Sequence, residues 1–127
     1  MKVADANAIL RFLLKDNQDQ YEEATKVFDS NEQIYVPSEI IAEVVYVLQK
    51  VYSISREEIR SRLVHFISYP NVTLDESDTI CNALNAYADS NLDYADCIVY
   101  SHAKSKSSEI FSFDKGLLKF FKRNKKE

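Results

Sequence analysis

Four short apolar runs, each followed by segments with helical spacing, constrain the fold of this chain most strongly. The runs are residues 2–5, 33–36, 72–74 and 109–113. In the segments between them, apolar side chains recur at intervals of three and four residues, the period of an amphipathic helix. The predicted helices are residues 8–14, 21–28, 77–88 and 93–100, two longer ones beginning near residues 38 and 55, and a last one from about residue 115.

Strands that alternate with helices form βαβ units, in which the strands run parallel and helices cover both faces of the sheet. The chain has one glycine and two prolines, which favours a helix-rich fold because all-β proteins need many turn residues. We therefore predict a three-layer α/β/α sandwich with a central parallel sheet of four or five short strands. A chain of 127 residues is expected to form one domain, covering residues 1–127.

The charge of the chain is uneven. A net charge of −4 argues against a general nucleic-acid-binding protein, which is usually basic. The C-terminal end is an exception, and it is either a solvated helix end or a local patch for phosphates. Its cations are Lys119, Lys122, Arg123, Lys125 and Lys126.

No signal peptide pattern opens the chain, and no apolar run approaches the roughly 18 residues of a membrane span. Cys81 and Cys97 lie in helical segments outside any metal-binding or redox motif, so we expect buried thiols in a reducing compartment. His65 and His102 have no catalytic partner at a motif spacing and are expected to be structural or surface residues. The expectation is a cytoplasmic protein that does not associate with membranes.

Four acids lie among apolar neighbours: Asp5, Glu43, Asp96 and Asp114. Asp5 closes the first predicted strand and Asp114 follows the fourth, and ligands collect at the carboxyl ends of parallel strands. Asp96 lies in the first turns of its helix, and Glu43 lies on the long third helix. Ionised carboxylates rarely tolerate apolar settings, and several together raise one another's pKa values unless a cation compensates.

A hard divalent cation is the simplest compensator, and Mg²⁺ or Mn²⁺ fits carboxylate ligands better than zinc, which prefers His or Cys. Such an ion can activate a water and stabilise charge on a phosphodiester, and it inverts the sign of a pocket that would otherwise repel phosphate. The acids therefore predict a metal-dependent enzyme that cleaves phosphodiesters.

Each of these acids also has a purely structural interpretation. Asp5 and Asp114 could simply cap helices. Asp96 could interact with a helix dipole, and Glu43 could lie at an ordinary helix edge. Glu39 and Asp93, each about one turn from a stronger candidate, could be ligands or merely solvated.

The order and setting of the acids resemble the PIN-domain family, and within it the VapC-like toxins of bacterial toxin–antitoxin pairs. The matching segments are VADANAILRFLL, VPSEIIAEVVYVL, LDYADCIVYSHA and IFSFDKGLLKF. The resemblance extends from residue 1 to about residue 121. The departures are mild, since Cys97 stands where alanine is usual and Ser112 where threonine is commoner.

The resemblance implies a single PIN-like domain and a metal-dependent endoribonuclease that leaves a 3′-hydroxyl and a 5′-phosphate. It implies Mg²⁺ or Mn²⁺ as cofactor, a homodimer, and a cognate antitoxin protein that blocks the site of the toxin. The implied catalytic residues are Asp5, Glu43, Asp96 and Asp114, of which Asp5, Asp96 and Asp114 bind metal, with Asn7, Asp93 and Ser112 in support.

Two other classes of function compete with the nuclease: a phosphatase or receiver-like domain, and a non-catalytic interaction module. A phosphatase of the haloacid-dehalogenase type needs a second Asp two residues after the first, where this chain has Asn7. A receiver domain needs an early acidic pair, and the segment ending at Asp5 has none. A non-catalytic PIN-fold module that binds RNA or protein stays open, although the presence of all four acids argues against a loss of chemistry.

Overall fold

The computed structural model describes residues 1–125, so the predicted contribution of Lys126 to the basic patch lies outside the described residues. The backbone contacts divide the chain into two compact units, residues 1–77 and the residues from 78 onward. That residues 1–127 form one domain stays a prediction. In chain order the elements are β1 (Lys2–Val3), α1 (Ala6–Leu14), α2 (Gln18–Phe28), β2 (Ile34–Tyr35), α3 (Ser38–Lys50), α4 (Arg56–Ile67), β3 (Val72–Thr73), α5 (Ser77–Ala88), α6 (Tyr94–Ser105) and α7 (Lys115–Asn124).

The first unit contains a parallel sheet of three strands in the order β1-β2-β3. The Ala4 N–H donates to the Tyr35 carbonyl at 3.0 Å, and the Val36 N–H donates to the Thr73 carbonyl at 2.9 Å. The predicted parallel α/β sheet is therefore confirmed. Because the strands are parallel, their carboxyl ends lie along one edge of the sheet, where polar side chains that follow each strand collect.

The predicted count of four or five strands is wrong. Residues 109–113 form no strand and pair with no other backbone segment among residues 1–125. Phe111 and Phe113 are 90% and 91% exposed, and their rings contact each other edge to face. Apolar and aromatic residues form a strand only where a neighbouring backbone can pair with them. The three-layer arrangement stays a prediction.

The apolar stripe predicted for the third helix is buried in the first unit. Ile41, Val44, Val45 and Leu48 of α3 are at most 2% exposed. Burial of each such side chain contributes about 1.5–3 kcal/mol to folding. The helix itself begins at Ser38 after Pro37, with no side-chain capping bond. Ser38 is therefore the first helical residue and not a cap.

The second unit packs α5, α6 and α7. The Ser101 hydroxyl on α6 donates to the Thr79 carbonyl on α5 at 2.6 Å. Tyr100 on α6 packs edge to face against Phe120 on α7, with ring centroids 4.8 Å apart. These contacts position the ends of α6 and α7, where the candidate acids of this unit lie.

No disulfide joins the two cysteines, and only one of them is fully buried. Cys97 has no exposed surface, as expected. Cys81 is half-buried, which corrects the expectation of a second buried thiol, and burial raises the pKa of its thiol. None of the helices in residues 1–125 combines the length and the apolar character that a membrane crossing needs.

Candidate active site

Asp5 lies two residues after the end of β1 and serves as the N-cap of α1. Its Oδ1 accepts the Ala8 N–H at 2.9 Å, so the capping role considered from the sequence is present. The bond uses one carboxylate oxygen, and Oδ2 has no hydrogen-bond or ion-pair partner among residues 1–125. The carboxylate is exposed, and together with Asn7 it borders a cavity of about 310 Å³ in the first unit.

Glu43 and Glu39 lie on α3 with exposed side chains. The expectation that Glu43 has apolar surroundings is wrong at the level of the side chain. Its chain neighbour Val44 faces the core, but successive helical residues point about 100° apart, so Glu43 points to solvent. The acid stays accessible to a ligand.

A second acid at the sheet edge was not singled out from the sequence. Asp75 follows the third strand much as Asp5 follows the first, and its Oδ2 accepts the Tyr35 hydroxyl at 2.7 Å. This hydrogen bond, with desolvation and the charges of Asp75 and Glu39, raises the pKa of Tyr35. The strand-end rule that selected Asp5 would also have selected Asp75.

In the second unit, three of the predicted residues border one cavity of about 500 Å³: Asp93, Asp96 and Asp114. Asp93 is the N-cap residue of α6, but its side chain makes no capping bond. Asp96 lies in the first turn of α6 and Asp114 just before α7. The other charged side chains of the lining are Asp89, Lys119 and Arg123.

Asp114 is held by local hydrogen bonds. Its Oδ1 accepts the Leu117 N–H at 2.9 Å and caps α7, and its backbone N–H donates to the Ser112 hydroxyl at 3.0 Å. Gly116, the only glycine in the chain, lies beside it. A Cβ atom at Gly116 would stand 3.2 Å from Asp114 Oδ1. The carboxylate therefore has a fixed position with one oxygen, Oδ2, left for a ligand.

The second-unit acids carry charge that no ion pair offsets within residues 1–125. Asp96 is half-buried, and its pKa is raised by this burial and then by the charges of Asp114 and Asp93. None of these three carboxylates forms an ion pair with a cation in residues 1–125. This is the mutual repulsion that the sequence predicted for acids gathered without a cation.

The donor chemistry of the site fits a hard divalent cation. The candidate ligands are carboxylate oxygens, and Asp5 and Asp114 each keep one oxygen outside their capping bonds. The lining of the second-unit cavity contains no His or Cys among the described residues, which disfavours zinc. As they stand, no three acidic, His or Cys side chains within residues 1–125 are gathered closely enough to hold a metal ion.

Comparison with known proteins identifies the family. No curated protein matches this chain. A family model described as PIN domain matches residues 2–124, a span that includes every acid discussed above. PIN domains are generally nucleases, and these nucleases generally use divalent metal ions. Because the match extends over nearly the whole sequence, the chain belongs to the PIN domain family.

Proposed function

We propose that this protein is a divalent-metal-dependent endoribonuclease and the toxin of a toxin–antitoxin pair. The observation that carries the nuclease part is the second-unit cavity, which Asp93, Asp96 and Asp114 all border without an ion pair to any cation of residues 1–125. Its volume of about 500 Å³ is within the range of ligand-binding pockets. Its carboxylates suit a cation that in turn attracts a phosphodiester.

The proposed roles follow the chemistry of each side chain. Asp5 of the first unit and Asp96 and Asp114 of the second are the residues that would hold one or two Mg²⁺ or Mn²⁺ ions. When bound, the ion supplies a water of lowered pKa and stabilises the charge that develops on the phosphate. Glu43 orients the attacking water and accepts its proton. As the new P–O bond forms, the bond from phosphorus to the 3′-oxygen breaks and this oxygen takes up a proton from solvent, which leaves a 3′-hydroxyl and a 5′-phosphate.

The supporting residues act through the catalytic acids. The Ser112 hydroxyl holds the backbone at Asp114. Asn7 lies in the first turn of the helix that Asp5 caps. Asp93 adds negative charge beside Asp96, which strengthens the attraction for a cation. These three are positioning residues in the proposal.

The proposed partners are RNA, a cognate antitoxin and a second copy of the chain, in the cytoplasm. Exposed apolar side chains support a protein partner, because large exposed apolar surface marks interaction sites. Tyr46 and Val51 of the first unit are 62% and 66% exposed, and Phe111 and Phe113 are exposed in the second.

Induced expression tests the proposed function. The parent should arrest growth and degrade cellular RNA, and Asp96→Asn should do neither, because the amide removes the charge that attracts the cation. Asp78→Asn is the matched control, since Asp78 also lies in the first turn of a helix but does not border the cavity. Equal arrest by the parent and Asp96→Asn would show that the site is assigned wrongly.

A second candidate is a PIN-fold module that binds RNA or protein without cutting. It is favoured by the capping bonds of Asp5 and Asp114, which give both acids a structural role that needs no metal. Such a module would bind RNA with the same affinity after Asp96→Asn and leave the RNA intact in Mg²⁺ and in Mn²⁺.

A further inference from the structure

The lining of the second-unit cavity carries positive as well as negative charge. Lys119 and Arg123 of α7 border this cavity, and they carry the opposite charge to the four acids of the lining. The two cations are four residues apart and so lie on one helix face. Gly116, three residues before Lys119, also borders the cavity and lies on the same face. The helix therefore presents two cations and a position without a side chain to the cavity.

Both cations are available to a ligand. Neither Lys119 nor Arg123 forms an ion pair or a hydrogen bond with a residue in the described part of the chain. The Arg123 guanidinium lies over the Phe120 ring, 5.5 Å from its centroid. That contact is made with the face of the ring and is not a hydrogen bond to an oxygen, so the N–H donors of the guanidinium can still bind an anion.

Positive and negative side chains that border one cavity without forming ion pairs suit a ligand that carries both positive and negative charge. A phosphodiester accompanied by a divalent cation has this property, since the cation suits the carboxylates and the phosphate oxygens suit Lys and Arg. The other cations of α7 provide a comparison, because Lys115 and Lys122 are exposed and do not border the cavity.

We propose that Lys119 and Arg123 are the phosphate-positioning residues of the substrate site. They bind the sugar–phosphate backbone of RNA and thereby present the scissile phosphate to the acids. This inference rests on the proposed nuclease function and specifies how the same site binds its substrate. It also explains how a chain with a net charge of −4 can bind a polyanion, because the two cations lie where the phosphate must be held.

Steady-state kinetics on a short single-stranded RNA test the inference. The double variant Lys119→Gln/Arg123→Gln should raise KM about tenfold and change kcat by less than about threefold, because it removes binding contacts and leaves the acids in place. The control variant Lys115→Gln/Lys122→Gln removes the same charge from the same helix outside the cavity and should leave both constants near those of the parent. Equal effects of the two double variants, or an unchanged KM for the cavity pair, would overturn the inference while the nuclease function stands.

A binding measurement separates this inference from the proposed function. With a fluorescent single-stranded RNA, the cavity pair should lower the slope of log affinity against log salt by about 1.4, the effect of losing two phosphate contacts. The control pair should lower the slope clearly less. If the parent binds RNA in this way but never cleaves it, the nuclease function fails and the phosphate site remains. If the cavity pair leaves the slope unchanged, the phosphate site fails. Lys119→Gln alone, which keeps the contact between Arg123 and Phe120, checks that the effect does not come from unfolding of α7.

Discussion

A methyl group on Gly116 would stand 3.2 Å from Asp114 Oδ1, a tighter approach than an ordinary van der Waals contact. The φ angle of Gly116 is not positive, so the backbone conformation does not require glycine at this position. The absence of a side chain matters instead, because it leaves room beside a carboxylate that borders the cavity. The only glycine of the chain thus lies at the candidate site.

Gly116→Ala should lower RNA cleavage about tenfold without destabilising the protein. The added methyl group displaces the Asp114 carboxylate by a few tenths of an ångström, whereas alanine in a helix is favoured over glycine by about 0.5–1 kcal/mol. Cleavage rates and thermal unfolding measure the two effects. Lys115→Ala is the control, since its exposed side chain does not border the cavity. Full activity of Gly116→Ala would show that this space is not needed.

Asparagine and alanine variants of Asp114 should separate capping from catalysis. Asp114→Asn keeps an oxygen that can accept the Leu117 N–H, so its stability should stay close to that of the parent. Asp114→Ala should lose about 1 kcal/mol of unfolding free energy with the cap. Both variants should lose cleavage by at least about a hundredfold, because neither keeps the charge. Urea unfolding measures the stability and cleavage assays measure the activity. An Asp114→Asn variant that cleaves RNA would show that Asp114 only caps the helix.

The raised pKa of Asp96 predicts a pH-dependent stability in metal-free buffer. In the unfolded chain this carboxyl has an ordinary pKa of about 3.9, and in the folded protein burial and the charges of Asp114 and Asp93 raise its pKa. Between the two values the folded state binds more protons, so its stability falls as the pH rises through this window and stays lowered at neutral pH.

Asp96→Asn should therefore unfold at a higher temperature than the parent at neutral pH in EDTA. The difference should shrink as the pH falls through the raised pKa toward about 4, because the parent carboxyl then becomes neutral in both states. Thermal melts across this range, with Asp78→Asn as control, measure it. A difference that does not change with pH would contradict the electrostatic explanation.

Substitution of Tyr94, which lies between Asp93 and Asp96 in the sequence, should change the stability of the protein for a reason unrelated to catalysis. Its ring packs edge to face with Tyr87, and its buried hydroxyl has no hydrogen-bond partner among residues 1–125. Burial raises its pKa far above the usual range for tyrosine. Tyr94→Phe keeps the ring and removes the unpaired hydroxyl, so it should be neutral or stabilise the protein by about 1 kcal/mol.

Tyr35→Phe is the contrasting variant in urea unfolding. It removes a hydroxyl that donates to Asp75, and it should cost about 1 kcal/mol. A clear destabilisation by Tyr94→Phe would mean that its hydroxyl has a partner in solution.

Helical periodicity predicted the buried stripe of α3, and the alternation of short apolar runs with helices predicted that the strands are parallel. The prediction of a strand at residues 109–113 was wrong because strand formation depends on more than the segment itself. A strand needs a neighbouring backbone to pair with, and a single segment of sequence cannot show whether one is present. The segment that contains the exposed Phe111 and Phe113 has the composition of a strand but no neighbouring backbone to pair with among the described residues.

A motif or an expected strand end predicted Asp5, Asp96 and Asp114 as site residues, and the structure shows Asp96 and Asp114 bordering one cavity of the second unit. Asp89 was missed because it follows α5 in no recognisable motif, and only the packing of the second unit brings it to the cavity. The surroundings of Glu43 were misjudged because neighbours in sequence are not neighbours on a helix surface. Both errors concern three-dimensional placement, which the identity of adjacent residues does not reveal.

The most direct test of the central claim is the cleavage of RNA by the purified protein as Mg²⁺ is titrated from an EDTA-treated start. The parent should be inactive without the ion, gain activity to a plateau as Mg²⁺ is added, and leave products with 5′-phosphates. Asp5→Asn, which keeps the cap on the Ala8 N–H, should stay inactive at every concentration. Cleavage by the parent that persists in EDTA, or an Asp5→Asn variant that cleaves RNA as fast as the parent, would contradict the account.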